Sequence, residues 1–341
     1  MEVFSKKHFT VKNVMFSAAI IIFLLLITQM QDIALMFFAS FVIACSLNPV
    51  VDRVASKMSR GKASAIVLFG IFGIITLFFI PLIVLVGHEI KAFAISFPQY
   101  VESIKEFAQN SPFLNAATLN KIDIAGVLSS ASIFTSKFFD QIVDAGINLG
   151  SAFIYLLASM LVIYYFMADR DLLKKTYAQM FPKHMKQKAI EVLDIISKKV
   201  GGYMVGQLTA LAGVGLVMTI GLLILKIDYA VLLGLITAVL DIVPIVGPAI
   251  ALVICFIAAY KSGPVVLLLV AVVFATAQII ENNLIRPYVF GKFLDIHPIV
   301  IYLFLFISAK YMGVVGVIFA PAIAATVCVL IQELYIKKLE E

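Results

Sequence analysis

The 341-residue sequence is 62% hydrophobic and only 13% charged, whereas a soluble domain is about half apolar and a quarter charged. Its apolar residues form long blocks, which is typical of a polytopic membrane protein. The net charge of +6 arises from lysines that cluster beside these blocks, so it indicates membrane orientation and argues against nucleic-acid binding.

The amino-terminal part of the chain contains candidate membrane spans, each of which needs about 20 mostly apolar residues to cross a bilayer. In chain order they are Val14–Met30, Ile33–Leu47, Ala63–Val86, Ile147–Phe166 and Tyr203–Leu225. Lysines before the first span resemble the start of a signal peptide, but no small-residue cleavage site follows the apolar run. We therefore expect a retained first helix.

The charges of the loops predict an orientation. Loops rich in lysine or arginine precede the first span, follow the second, and separate the fourth from the fifth, whereas acids outnumber lysines in the long segment 88–146. Cytoplasmic loops carry the excess of positive charge, so both termini and the basic loop 168–200 are expected inside. Segment 88–146 is then an extracytoplasmic insertion, and Val101, Ile104 and Phe107 recur there at helical spacing, which predicts packed helices.

Beyond the fifth span, glycine and proline cut the apolar sequence into shorter pieces. The first interruption contains Pro244, Gly247 and Pro248, and the second contains Gly313, Gly316 and Pro321. The pieces beside the first interruption, Tyr229–Val243 and Ala249–Tyr260, are too short to span comfortably. Two interrupted segments in one half of a chain are the sequence signature of a transporter's binding site, whether the segments are re-entrant or spanning. Two ordinary proline kinks are the alternative.

Polar side chains accompany the first interruption. Asp241 would cost about 2.5–3.5 kcal/mol at the bilayer centre, so it should face a cavity or a partner, unless it lies near the interface and ends a helix there. A polar stripe follows, made of Gln278, Glu281, Asn282 and Arg286. The first three of these share one helix face, which would either line a solute path or form a solvated helix end. Gln207 in the fifth span is a further candidate.

Enzyme motifs are absent from the sequence. It contains no H-E-x-x-H, G-x-S-x-G or P-loop pattern, and none of its four histidines pairs with another at metal-ligand spacing. We therefore expect no catalytic residue, no bound metal and no cofactor. Without a P-loop, transport would be passive or driven by an ion gradient.

Several motifs together resemble one known family. They are LNPVVD (Leu47–Asp52), FPKHMKQKA with GGYMVGQ (Phe181–Gln207), LLGLITAVLDIVPIVGP (Leu232–Pro248), ENNLIRPYVFGK (Glu281–Lys292) and HPIVIYLFLFISAKYMGVVGVIFAPAIA (His297–Ala324). On these stretches the chain resembles the autoinducer-2 exporter (AI-2E) family of permease-like bacterial inner-membrane proteins, nearly end to end and most strongly from about Gly201.

The resemblance implies about eight membrane spans, a helical region after the third, and homo-oligomers in the bacterial inner membrane. Family members are associated with export of a small furanosyl-borate or related signalling molecule, and some relatives with sodium(lithium)/proton exchange. Ser308, Ala309, Lys310 and Tyr311 stand where the family often has a glycine-rich turn, so the substrate is not implied.

The sequence thus predicts an all-α polytopic membrane protein. Residues 1–87 form three spans, 88–146 the outer insertion, and 147–341 a transport core that includes the basic loop. The predicted function is a secondary transporter whose partners are membrane lipids and a small polar solute, a monovalent cation or a proton. Asp241 and Glu281 would sense the proton or cation. Asn282, Gln278 and Gln207 would be polar ligands and Arg286 a gate or anion contact. A non-transporting scaffold that binds a partner through the insertion and a passive channel are the alternatives.

Overall fold

The computed structural model describes residues 30–77, 89, 92, 149–244, 246–287 and 296–333. These residues form helices joined by short turns and include no strand, which confirms the predicted all-α membrane fold. The predicted first span and nearly all of the insertion 88–146 lie outside the described residues, so the proposed division into three regions stays a prediction.

Nine α-helices are present in the described part of the chain. They are α1 (Gln31–Ala55), α2 (Arg60–Leu77), α3 (Leu149–Ala168), α4 (Arg170–Gln179), α5 (Lys186–Ile224), α6 (Ala230–Leu240), α7 (Val246–Ala259), α8 (Pro264–Ile280) and α9 (Pro298–Ile331). Short 3₁₀ turns precede α5 and follow α7, and a π-helical turn, Glu281–Ile285, continues α8. By length and composition, five of these helical segments could cross a membrane, or six if α3 and α4 are one bent span.

Helix α5 is the longest element and the centre of the fold. Its 39 residues correspond to about 58 Å, roughly twice the thickness of a hydrocarbon core. Residues 186–200 of the predicted basic loop are therefore the first turns of the same helix that contains the span Tyr203–Leu225. Gly201 does not end the helix; a Cβ there would lie 2.7 Å from the carbonyl oxygen of Cys45, so this glycine allows α1 and α5 to approach closely.

A left-handed residue ends α5 before the short turn to α6. Lys226 has a φ of 56°, and the N–H of Ile227 donates to the carbonyl oxygen of Leu222 at 3.0 Å. The N–H of Lys226 also donates to the carbonyl oxygen of Leu223, which completes a Schellman motif. Helix α6 then returns alongside α5. A Cβ on Gly234 would lie 2.0 Å from Thr219 Oγ1, so a glycine permits that contact.

Three hydrophobic clusters join the helices, and α1 and α5 each contribute to two of them. One cluster packs α5 against α6, α7 and α8 through residues such as Met218, Leu233, Cys255 and Val270. A second packs α1 and α5 against α9 through Val42, Val200 and Phe319, and a third packs α1 against α2 and α3 through Val51, Val67 and Met167.

Large apolar side chains also cover the outer faces of the helices. They include Phe69, Ile74, Leu161, Ile220, Leu268 and Phe306, all more than half exposed. Contiguous exposed apolar surface of this kind is expected of helices that face lipid. The fold is therefore that of a multi-pass membrane protein.

Candidate functional site

The first interruption is a tight turn between two half-length helices. Helix α6 ends at Leu240, and α7 begins at Val246 after a turn that starts with Asp241. The 11 residues of α6 and the 14 of α7 rise about 16 and 21 Å, so neither crosses a hydrocarbon core alone. The chain therefore has a broken helix pair at the point where the sequence placed its prolines and glycine.

Gly247 makes this turn possible. Its N–H donates to the carbonyl oxygen of Val243 at 2.9 Å, and the N–H of Val243 donates to the carbonyl oxygen of Leu240 at 3.0 Å. A Cβ on Gly247 would lie only 1.7 Å from the Leu240 carbonyl oxygen. Pro244 lies within the turn, and Pro248 lies in the first turn of α7, where a proline costs no helical hydrogen bond.

Two carboxylates are buried beside this turn. Asp241 is 2% exposed and Glu281 is 1% exposed, and the two interact electrostatically. Gln278 Nε2 approaches Asp241 Oδ1 at 3.4 Å, a long hydrogen bond. Within the described residues, Asp241 Oδ2 and Glu281 Oε2 are buried without a hydrogen-bond partner. Such orphaned oxygens are costly inside a protein, so a proton held between the two carboxyl groups or a bound cation would stabilise them.

A wide helical turn brings Arg286 to this pair. Arg286 Nε donates to Glu281 Oε1 at 2.7 Å, and a second guanidinium nitrogen also contacts that oxygen. Residues five apart do not face each other on an α-helix, but Glu281–Ile285 is π-helical, and such turns are frequent at functional sites. One guanidinium can compensate the charge of only one of the two carboxylates.

Helix α5 connects the charged group to α9. The buried Tyr203 lies near enough to Arg286 to interact with it electrostatically, and its hydroxyl donates to the carbonyl oxygen of Ile318 at 3.4 Å. Gln207 is also almost buried and lies one turn further along α5, on the face that carries Tyr203. Asn282 is exposed, and its Nδ2 donates to the backbone oxygen of Gln278 at 2.9 Å.

The second interruption is a single residue. Gly313, with φ 61° and ψ −151°, is the one non-helical position inside α9. Gly316 is helical and buried; a Cβ there would lie 2.9 Å from the carbonyl oxygen of Ser308. Pro321 lies inside the second part of α9 and does not interrupt it, because neighbouring helices let membrane helices tolerate proline. The hinge is therefore narrower than the predicted Gly313–Pro321 turn.

The structure brings together some of the predicted site residues and adds others. Asp241, Gln278, Glu281 and Arg286 lie in one group. Helices α6 and α7 pack on α5 and α8, whereas α9 packs on α5 and α1. That the two interruptions frame one path thus stays a prediction. Tyr203 could not be predicted as part of this group, because it is an aromatic residue in an apolar run. Because Pro287 lacks an N–H, it cannot continue the regular helical hydrogen bonding, which is consistent with the wide turn before it.

Comparisons with known proteins agree with this architecture. The model of a family described as "AI-2E family transporter" matches residues 16–336. A Bacillus subtilis protein named "Putative transport protein YueF" is 22% identical over 291 residues, which cover 82% of this chain and 78% of that protein. A second, YrrI, is 29% identical over 195 residues, 56% of this chain and 55% of its own length. Transport protein BpOF4_00890 of Alkalihalophilus pseudofirmus, also named as putative, is 22% identical over 92% of this chain and 85% of its own.

Proposed function

The chain belongs to the AI-2E transporter family, and on this premise we propose that it is a secondary transporter that exchanges sodium or lithium for protons at Asp241 and Glu281. One observation carries the proposal: two buried carboxylates share a broken-helix site, and each keeps one oxygen without a partner among the described residues. Ionisable side chains inside a membrane protein are costly, and those that are present mark ion pathways and proton relays.

The electrostatics of the pair favour exchange between a proton and a small cation. Two neighbouring carboxylates in a medium of low dielectric repel each other, and Arg286 compensates one of the two charges. Either a proton or a monovalent cation would neutralise the second, so the two ligands compete for one place. Competition of this kind is what an antiporter requires, because binding of one ion must release the other.

The break between α6 and α7 would also place backbone groups near a bound cation. Asp241 caps the carboxyl end of α6, where the helix dipole places partial negative charge. A cation bound there would interact with backbone carbonyl oxygens as well as with carboxylates, as in other transporters with discontinuous helices. Gln278 and Gln207 would add neutral ligands.

Export of a small polar solute, such as an autoinducer-2-like signalling molecule, is the second candidate. The side chain of Arg286 is 37% exposed while it holds the buried Glu281. An anionic or hydroxylated solute would therefore meet a cationic and partly exposed side chain. We also propose that the protein lies in the bacterial cytoplasmic membrane with both termini inside and that it forms homo-oligomers.

Ion exchange can be tested in liposomes that enclose a pH-sensitive dye. We expect added sodium or lithium to drive proton efflux from liposomes that contain the reconstituted protein, with saturation at high cation concentration. Asp241→Asn and Glu281→Gln should each reduce this flux at least tenfold. Asp228→Asn is the matched control, because Asp228 is exposed at the turn before α6, and it should keep the wild-type flux.

Three results would contradict the proposal. Wild-type flux in both carboxylate variants would remove Asp241 and Glu281 from the path. Flux that rises linearly with cation concentration would indicate a channel. Saturable solute export without any cation-driven proton movement would favour the second candidate.

A further inference from the structure

Two adjoining cavities lie between α1, α4 and α5, and neither is lined by Asp241 or Glu281. Their volumes are about 390 Å³ and about 380 Å³. They share four lining residues, Cys45, Asn48, Arg170 and Ser197. We refer to the two cavities together as the α1–α5 groove.

The two parts of the α1–α5 groove differ in chemistry. The first contains hydroxyl, amide and charged side chains, among them Ser46, Asp194 and Lys198. The second is lined chiefly by aromatic and aliphatic side chains, including Phe41, Phe166 and Leu173. A mostly apolar groove that carries charged and polar side chains in one part fits an amphiphile better than a small polar solute.

The charged side chains that line the α1–α5 groove as a whole carry a small net positive charge. Arg60 and Arg170 both bind Asp52, with nitrogen–oxygen distances of 2.5 and 3.1 Å. Arg60 is further fixed by the carbonyl oxygen of Met167 at 2.7 Å and by Asn48 Oδ1 at 2.8 Å. Lys174 binds Asp194, and Lys198 adds another cation to the lining. The cations that line the groove, Arg170, Lys174 and Lys198, outnumber its two acids by one, which favours an anionic ligand.

The geometry of α4 places the groove beside the membrane surface. Helix α4 turns by 81° from α3, so α4 would lie along the surface of a membrane that α3 crosses steeply. Leu172 on α4 and Met180 directly after it are 63% and 77% exposed, while Lys174 and Lys175 lie on α4 as well. This is the pattern of an interfacial helix, and it puts the polar compartment at the level of lipid headgroups.

We propose that the α1–α5 groove binds an anionic phospholipid. Its phosphate contacts Arg170 and Lys198, and an acyl chain lies against Phe41, Phe166 and Leu173. Basic pockets between membrane helices bind anionic headgroups in this way. The lipid joins α1, the α3–α4 bend and α5, so it would stabilise their packing. This binding site is independent of the proposed ion exchange.

Lipid retention by the full-length protein tests this proposal. The protein is purified in detergent, mixed with phosphatidylglycerol or phosphatidylcholine, and examined by native mass spectrometry. We expect wild type to retain phosphatidylglycerol at least tenfold more strongly than phosphatidylcholine. The substitution Lys198→Ala should weaken the binding of phosphatidylglycerol about fivefold, as expected for the loss of one cation near an anionic lipid. Lys199 is the neighbouring residue and does not line the groove, so the Lys199→Ala protein should bind phosphatidylglycerol as the wild type does.

A second pair of variants changes the volume of the groove without changing the charge of its lining. Ser197 lies in the wall common to both cavities, so Ser197→Phe should block lipid retention whereas Ser197→Ala should preserve it. Equal retention of the two lipids, equal losses in Lys198→Ala and Lys199→Ala, or full retention by Ser197→Phe would each overturn the proposal. Displacement of the lipid by millimolar inorganic phosphate alone would also overturn it, because the site would then recognise a free anion.

Discussion

The substitution Gly247→Ala tests how the first helix break is built. The added methyl carbon would lie 1.7 Å from the carbonyl oxygen of Leu240 and 2.5 Å from its carbon, and the Asp241 nitrogen is 3.3 Å away. Separations under 3.0 Å are essentially never found for a real Cβ, so the turn must open by more than an ångström. Overpacking lowers the free energy of unfolding by about 1–3 kcal/mol. We expect a loss of about 3 kcal/mol here because the obstructing atoms belong to the backbone.

Displacement of the Leu240 carbonyl also moves Asp241, so Gly247→Ala should lower cation-driven proton flux by at least tenfold although both carboxylates are intact. Thermal unfolding in detergent measures the stability change, and the liposome assay measures the flux. Gly73→Ala is the control, since Gly73 is exposed on α2 and a Cβ there would meet no atom within 4 Å. That variant should have the wild-type flux, and its free energy of unfolding should equal that of the wild type or exceed it by up to about 1 kcal/mol. A Gly247→Ala protein with wild-type stability and flux would refute the reasoning.

Three further predictions concern other contacts of the same region. The substitution Arg286→Gln should lower the free energy of unfolding by about 3 kcal/mol, because it leaves the buried Glu281 without its ion-pair partner. The double variant Glu281→Gln/Arg286→Gln should recover most of this loss in a thermal-unfolding cycle. Glu89→Ala should cost about 1 kcal/mol, because the Glu89 carboxylate accepts a 2.8 Å hydrogen bond from the N–H of Leu232 in the first turn of α6; amide hydrogen exchange at that residue should become faster. Gly316→Ala should cost about 1–3 kcal/mol, since a Cβ would lie 2.3 Å from that of Met312.

Each of these predictions has a result that contradicts it. If the stability losses of the two single variants simply add in the Glu281–Arg286 double variant, the ion pair contributes nothing to the free energy of unfolding. Unchanged hydrogen exchange in Glu89→Ala would show that the first turn of α6 does not need this acceptor. A wild-type melting temperature in Gly316→Ala would show that α9 can straighten without strain.

The first helix break was predictable from the sequence because its causes are local. Proline lacks a backbone donor and glycine lacks a Cβ, so the length of each apolar piece and the position of Pro244, Gly247 and Pro248 were enough to predict where the helix stops. The grouping of Gln278 with Glu281 also followed from helical spacing alone.

Other features depend on packing between distant parts of the chain. The close approach of the Cys45 carbonyl on α1 to Gly201 depends on the packing of α1 against α5. The electrostatic interaction of Tyr203 with Arg286 and its hydrogen bond to the Ile318 carbonyl join three helices. The glycines and Pro321 predicted a turn from Gly313 to Pro321, but Pro321 lies inside the helix and only Gly313 departs from helical geometry.

The uninterrupted length of α5 determines where the molecule can deform. Bending a regular helix sacrifices backbone hydrogen bonds over a full turn, whereas the chain already departs from helical geometry after Leu240 and at Gly313. If the proposed exchange needs inward-facing and outward-facing forms, we expect the half-helices to rotate at these two breaks while α5 stays rigid. A pair of cross-linked cysteines across either break should then stop the proposed exchange and leave α5 unchanged.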